Sequence, residues 1–375
     1  MVNKRNSFYI VVLLWMVLSQ VNSAELEGFI PVWTTQLTND LFTYEPFEYS
    51  GCAIDTQFQR IFVANRLGEI ISLNYTTGEI QWRFSLKHPI YLSPTYYSEK
   101  LFVANTNGEV IALDVSKNRP SIFWRRKLYG GIINNVTINV SNGEKTDGEL
   151  LLLTDRNTLY VLSISNGDIK LHISGNVTED LTFYSNLPIK TIGNKIIYAL
   201  STGELIITNK DNDKDTSKIT IYNSGDNING FSGFASLDQH IFLSTYTGLF
   251  YKIDIDSGRI VWSRNLSPIS TIKIDEESNN IFVFHLDGSI SIMDKDGSLI
   301  MKRLISSGSI AGADIIGNRV LVRYNDGKMF LFAKDGLYPL SSIKLTSPVF
   351  ASIAHSNNHI YVFTSKGTLI KFLLQ

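Results

Sequence analysis

The side chains in this chain that could do chemistry are few. Its six histidines are His88, His172, His240, His285, His355 and His359. None stands in a helical HxxxH context. His355 and His359 flank Ser356, Asn357 and Asn358 in what reads as a hairpin loop, so a solvated turn is favoured there over a metal site. Cys52 is the only cysteine, which excludes an intrachain disulfide, a thiolate zinc cluster and a CxxC redox motif. The run from Lys210 to Asp215, KDNDKD, alternates acidic residues as a calcium loop does. It lacks the Gly and closing Glu of an EF-hand and reads as a polar hairpin tip. No GxSxG, Walker or dinucleotide fingerprint occurs. Neither a metal nor a cofactor is expected. The formal net charge of −1 offers no basic field for nucleic acid.

Trp82, Trp124 and Trp262 could stack on a ligand, but all three recur at one position of an internal repeat. Residues 61–86 read IFVANRLGEIISLNYTTGEIQWRFSL, residues 101–128 LFVANTNGEVIALDVSKNRPSIFWRRKL, and residues 241–266 IFLSTYTGLFYKIDIDSGRIVWSRNL. Weaker copies begin at residues 150, 196, 281, 320 and 360. Each holds a β-branched and aromatic run, a polar turn with Gly, an alternating run (Ile70, Ser72 and Asn74 against Ile71 and Leu73), a second turn such as Thr77-Gly78, and a third strand that often carries Trp. A further strand precedes each unit, which makes four strands per repeat. Gly or Asn supplies the positive φ of a tight hairpin. The first-turn markers are Gly68, Gly108, Asn157, Gly203, Gly248, Gly288, Gly327 and Gly367, spaced by 40, 49, 46, 45, 40, 39 and 40 residues. That is a blade period.

The sequence therefore predicts an all-β fold, an eight-bladed β-propeller of four-stranded antiparallel blades. The blades fall at about residues 45–86, 92–128, 131–173, 181–222, 230–266, 269–305, 309–343 and 347–375. The last unit ends at Gln375 after its third strand, while an orphan strand, 29–37, carries Trp33 where the other outer strands carry Trp. The N-terminal strand is expected to pair with the last blade and close the ring. The Trp set, with Gly68, Gly108, Gly248 and Gly288, reads as blade-building. Asp114 and Asp254 are expected to bond the backbone N–H groups of the turns that follow them.

Residues 1–23 read as a secretory signal: Lys4 and Arg5, an apolar stretch of about 11 residues from Phe8 to Leu18, and cleavage after Ser23. Residues 24–375 form the single propeller domain. Asn-x-Ser/Thr sequons stand at Asn74, Asn135, Asn139, Asn176 and Asn265.

The unit VANTNGEVIALD…W resembles the quinoprotein-type (PQQ-like) propeller repeat. Over about residues 29–375 the chain is similar to the BamB family of bacterial outer-membrane assembly factors. The resemblance implies a non-catalytic scaffold of the periplasm, a monomer within a hetero-complex, docked on the β-barrel insertase of the outer membrane and helping to assemble barrel proteins. The family's docking segment corresponds to EDLTFYSNLP, Glu179 to Pro188, which keeps Leu181, Phe183, Tyr184 and Leu187 but lacks the family's Arg. The same four residues also fit an inner strand of the fourth blade. A lipid-anchor Cys at the cleavage site is absent, so attachment through the partner is expected. A quinoprotein dehydrogenase would need vicinal cysteines under its cofactor, and one cysteine cannot supply them. A eukaryotic ER-lumenal or secreted propeller, acting as chaperone or sensor, is the alternative that the sequons permit.

Overall fold

The computed structural model describes residues 28–38, 47–140, 148–175, 188–200, 202–211, 214–221 and 230–375. The signal segment, the segment holding Leu181, Phe183, Tyr184 and Leu187, and Asn176 lie outside the described residues. Among the described residues, thirty-two strands form eight four-stranded antiparallel sheets. Blade 1 is Cys52–Asp55, Arg60–Ala64, Glu69–Asn74 and Ile80–Ser85, hydrogen-bonded in that order. Blades 2 to 7 repeat this order within residues 95–127, 137–174, 190–220, 231–265, 269–304 and 310–344. First strands of neighbouring blades touch, as Phe231–Leu237 touches Ile269–Asp275, so they surround the axis. Fourth strands are the exposed rim.

Stacking buries both faces of the middle strands. The alternation of Ile70, Ser72 and Asn74 with Ile71 and Leu73 does not separate a wet face from a dry one, because Ile70, Ile71, Ser72 and Leu73 are all fully buried. One face packs on the preceding blade and the other on the next. Ser72 survives burial because its hydroxyl bonds Gln81 Oε1 at 3.0 Å.

All eight first-turn markers have positive φ, from 53° at Asn157 to 96° at Gly248. Asn157 is the one non-glycine among them, and Asn tolerates that region better than most residues. Each marker's carbonyl also accepts a hydrogen bond from the residue that follows the outer strand of its own blade. The donors are Leu86, Leu128, Gly175, Ile221, Leu266, Ile305 and Leu345 in blades 1 to 7. In blade 8 the acceptor is Gly367 and the donor is Leu37, at 2.8 Å, from the other end of the chain.

The closing strand is thus a true fourth strand. Phe29–Gln36 pairs antiparallel with Thr368–Leu374, from Phe29 opposite Leu374 to Gln36 opposite Thr368. It reproduces a bulge that marks six of the seven other outer strands, Thr216–Thr220 of blade 4 pairing without one. One residue, Val32, is skipped just before Trp33. Gln81, Phe123 and Val261 are skipped before Trp82, Trp124 and Trp262 in the same way. A bulge increases local twist and disfavours edge-to-edge pairing. It also accounts for exposed Val32, Phe123 and Val261, which are the bulged residues.

Asp114 accepts from the backbone N–H of Ser116 at 2.9 Å, and Asp254 accepts from that of Ser257 at 2.8 Å. Lys100 and Ser116 hold the Asp114 carboxyl down at about 2. A lowered folded-state pKa adds stability that is full above the ordinary carboxylate value of about 4 and is lost as pH falls through about 2. Asp114→Asn is therefore expected to lower the urea midpoint at pH 7 and to converge on the parent between about pH 4 and pH 2. Paired urea titrations across that range check it; a gap that persists at pH 2 would refute it.

Candidate functional site

The four tryptophans chosen from the repeat lie between blades. The Trp33 ring packs on Gly78 of blade 1, Trp124 on Gly167 of blade 3, and Trp262 on Gly297 of blade 6. A Cβ at those glycines would stand 2.6, 2.6 and 3.0 Å from the respective ring. Trp33 donates its Nε1–H to Tyr75 O at 3.2 Å, and Trp124 donates to Ile164 O at 2.8 Å. Both acceptors directly follow the third strand of the next blade. Tyr75 O also accepts from Lys371 Nζ at 3.1 Å, and at the two remaining positions a cation is the side-chain donor to a carbonyl at the equivalent turn. Arg60 donates to Val115 O, and Lys252 donates to Lys295 O at 2.9 Å. The indole N–H groups of Trp82 and Trp262 are buried without a partner among the described residues. These side chains join blades and face no ligand space. Gly68, Gly108, Gly248 and Gly288 sit in the turns described above.

The histidines do not converge. His285 is buried, with Nδ1 3.0 Å from Ser267 O and Nε2 2.9 Å from Ser291 Oγ, and burial lowers its pKa. His355 and His359 sit either side of a two-residue turn at the channel end of blade 8, Asn357 having φ 52°. No cluster of three or more metal-ligating side chains occurs among the described residues. Burial pushes the Cys52 thiol up to about 12, far from a reactive thiolate.

Beside the rim, two surfaces could engage another molecule. The first is the axial channel, a cavity of about 650 Å³ walled by first strands of blades 3 to 6. Its wall is polar: Thr137, Ser232, Ser236 and Thr271, with Lys190, Lys273, Asp238 and Glu276. Burial first, then the charge of Lys273, lowers the pKa of Lys190, against the pull of Glu276. Lys273 itself pairs with Asp314 at 3.5 Å. Among the described residues, neither His nor Cys lines this cavity. Sequence reading did not single out these residues, although their place on the first strand of each repeat marks them as axial.

The second is the propeller face that carries the first-turn markers and the connections between blades. Gly175 and Pro188, which flank the segment of Leu181, Phe183, Tyr184 and Leu187, belong to one such connection, between Ile169–Ser174 of blade 3 and Lys190–Ile192 of blade 4. The channel mouth on this face is cross-tied. Gly51 N–H donates to Ser93 Oγ at 2.7 Å, and Ser93 N–H donates to Asn135 Oδ1 at 2.8 Å.

Eight clasped blades, Trp–Gly joints at three of their seams and a wide loop face define a propeller of the PQQ-like repeat class. The family model described as "Outer membrane protein assembly factor BamB" matches residues 32–121 and 66–231, and the chain belongs to that family. A curated relative, outer membrane protein assembly factor BamB of Yersinia pestis, is 21% identical over 361 residues, covering 89% of this chain and 88% of the relative. The crystal structure of BamB from Moraxella catarrhalis superposes with a TM-score of 0.73 at 13% identity, over 92% of this chain and 99% of that one. The quinohemoprotein alcohol dehydrogenase of Comamonas testosteroni shares the fold too, with a TM-score of 0.69 at 11% identity over 95% of this chain and 78% of that one.

Proposed function

We propose that this protein is a non-catalytic, protein-binding scaffold of the bacterial periplasm that assists insertion of β-barrel proteins into the outer membrane, docked on the insertase. The observation that carries the reading is membership of the BamB family, with a relative of nearly equal length that bears the assembly-factor name. The geometry fits it. The conspicuous aromatic side chains of the repeat are spent on joints between blades, and the loop face is wide and cross-tied, a rigid surface of the kind that presents binding loops. Leu181, Phe183, Tyr184 and Leu187 are the docking residues that the family resemblance suggests.

The test is affinity purification of the full chain from its source cells under native conditions. Recovery of the outer-membrane insertase is expected. Its absence, with the propeller intact by circular dichroism, would overturn the reading. The same preparation tests the ER-lumenal or secreted alternative. Asn265 is the sequon to examine, being exposed at the end of the outer strand of blade 5, whereas Asn74 Oδ1 is engaged by the N–H groups of Thr76 and Thr77. Intact mass spectrometry is expected to show Asn265 without glycan.

A further inference from the structure

Charge is segregated between the inside of this propeller and its rim. The eight outer strands hold eleven Lys and Arg residues and no Asp or Glu, in a chain whose totals are 34 and 35. In blades 1 and 2 the repeat neutralises these cations. Glu69 and Glu109, each directly after a first-turn Gly, pair with Arg83 at 2.8 Å and Arg125 at 3.3 Å. Asp168, directly after Gly167 of blade 3, pairs with Arg126 of blade 2 at 2.6 Å.

Blades 5 and 6 keep the cations and lose the carboxylates. Lys302 holds the register position of Arg83 and Arg125, but Ser289 follows Gly288. Arg264 and Arg303 hold the position of Arg126, but Ser298 and Leu337 follow the facing glycines, Gly297 and Gly336. These cations are left with neutral acceptors. Lys302 donates to Ser267 Oγ at 3.1 Å, Arg264 to Asp296 O at 3.5 Å, and Arg303 to Gly336 O and Leu337 O, each at 3.1 Å. Arg259 is the fourth cation of the two strands. All four are exposed, and none meets a carboxylate among the described residues. Among them stand five exposed aliphatic side chains, Ile260, Val261, Leu299, Ile300 and Leu304, the last 68% exposed. Val261 and Ile300 are the bulged residues of their strands, so this edge is a poor template for an added strand.

The carboxylates nearby are engaged elsewhere. All nine in residues 231–304 lie on the first three strands of their blades or in turns. Asp254 and Asp287 accept from the N–H groups of Ser257 and Ser289, and Asp294 accepts from those of Asp296 and Ser298. Asp256 pairs with Lys195 at 2.9 Å, and Asp296 stands 3.5 Å from Lys252 Nζ. In blade 7, Asp326 pairs with Lys328 and Lys344, and Asp335 is exposed without a cation partner among the described residues. Asp226, on the link into blade 5, lies outside the described residues. Against Asp335 stand the four rim cations and the exposed Lys295, so the patch is positive.

Aliphatic groups interleaved with Lys and Arg on a convex edge have the composition of an interfacial membrane contact. A protein hot spot would be built on Trp or Tyr in a desolvated pocket. The tryptophan here, Trp262, is turned inward over Gly297. Tyr338, 62% exposed with its ring 5.5 Å from the Arg303 guanidinium, sets an amphipathic ring at the edge of the patch, as headgroup-level residues do. We infer that the rim of blades 5 and 6 is a contact surface for an anionic phospholipid membrane, whose phosphates meet the four cations and whose acyl boundary receives the five aliphatic groups. This contact goes beyond the insertase docking of the scaffold reading and does not depend on it.

The experiment sediments the protein, purified from its source cells, with vesicles of phosphatidylcholine mixed with phosphatidylglycerol and with vesicles of phosphatidylcholine alone. At low salt, binding to the anionic vesicles is expected to be at least tenfold tighter than to the neutral ones, and to weaken as salt is raised. Lys302→Gln combined with Arg303→Gln is expected to weaken it at least tenfold, at about fivefold per cation. Arg83→Gln combined with Arg125→Gln, cations that the repeat neutralises, is expected to change it less than twofold. Circular dichroism and thermal unfolding establish that each variant is folded. Absence of binding, equal binding to neutral vesicles, or equal loss from the two pairs of substitutions would overturn the inference. So would recovery of a protein partner that depends on Lys302 and Arg303 without vesicle binding, which would assign the patch to an acidic protein surface. Failure of the parent chain to recover the insertase refutes the scaffold reading and has no bearing on the vesicle result.

Discussion

A chain lacking residues 28–38 is expected to unfold at least about 5 °C below the parent and to self-associate. Blade 8 would then end at Thr368–Leu374, an open edge with apolar Ile370 and Phe372. Unpaired edges of this kind recruit other strands. The deletion also removes Trp33, packed on Gly78, and Leu37, which is 4% exposed in the core between blades 8 and 1. Burying two such side chains contributes about 4 kcal/mol, at roughly 2 kcal/mol each. For a propeller of about 350 residues each kcal/mol shifts the midpoint by roughly 1–2 °C, so ~5 °C follows before any strand pairing is counted. Calorimetry with sedimentation velocity checks both parts. An unchanged midpoint in a monomeric deletion would show that the ring holds without its clasp. A point variant separates clasp geometry from strand loss. Gly367 has φ 76°, and a Cβ there would run into the Thr38 hydroxyl. Gly367→Val is therefore expected to lose about half of what the deletion loses, without the added self-association, because Phe29–Gln36 can still cover the edge.

The clasp was legible because its signals are local and repeated. Trp33 stands four residues before Leu37, as Trp82, Trp124 and Trp262 stand before Leu86, Leu128 and Leu266. Only Gly or Asn meets the positive φ of the first turn without strain, so eight markers survive even where the flanking strands have drifted. What lies between blades was less legible. The Gly that receives each Trp is on the neighbouring blade, and nothing local distinguishes Gly167, which touches Trp124, from Gly258, which touches Ser217. Nor does the sequence show that Arg60 takes the carbonyl that Trp82 would otherwise reach. The aromatic stack where blade 8 meets blade 1 is less legible still. Tyr49 and Phe350 are about 300 residues apart in sequence, and they stack only because a propeller returns its last blade to its first. The channel lysines belong to the same class of feature, since Lys190 and Lys273 meet only through ring geometry.

Trp124 offers the clearest measure of what joins one blade to the next. It is 8% exposed, its N–H is bonded to Ile164 O, and its ring fills the space over Gly167. Trp124→Ala is expected to cost about 3–5 kcal/mol, the range for emptying a buried Trp site. Gly167→Val strikes the same joint from the other side. It forces a β-branched residue to φ 71° and sets a side chain 2.6 Å from the indole. The conformational part, about 1–2 kcal/mol, is independent of Trp124, whereas the steric part disappears when the ring is gone. The double variant is therefore expected to be more stable than the sum of the singles predicts, by at least about 1 kcal/mol, as residues in contact couple. Urea unfolding of the four proteins of the cycle measures this directly. Strict additivity would mean that Trp124 and Gly167 are neighbours without being a joint. The corresponding residue in blade 6 is Met301, half-buried, which pairs opposite Ile292 as Trp124 pairs opposite Ala112. Met301→Ala should fall at or below the lower end of the ~2–5 kcal/mol seen for buried Met truncations, because less of the side chain leaves a packed site. A gap of that size between equivalent positions would mean that the ring is fastened unevenly, most firmly where Trp meets Gly.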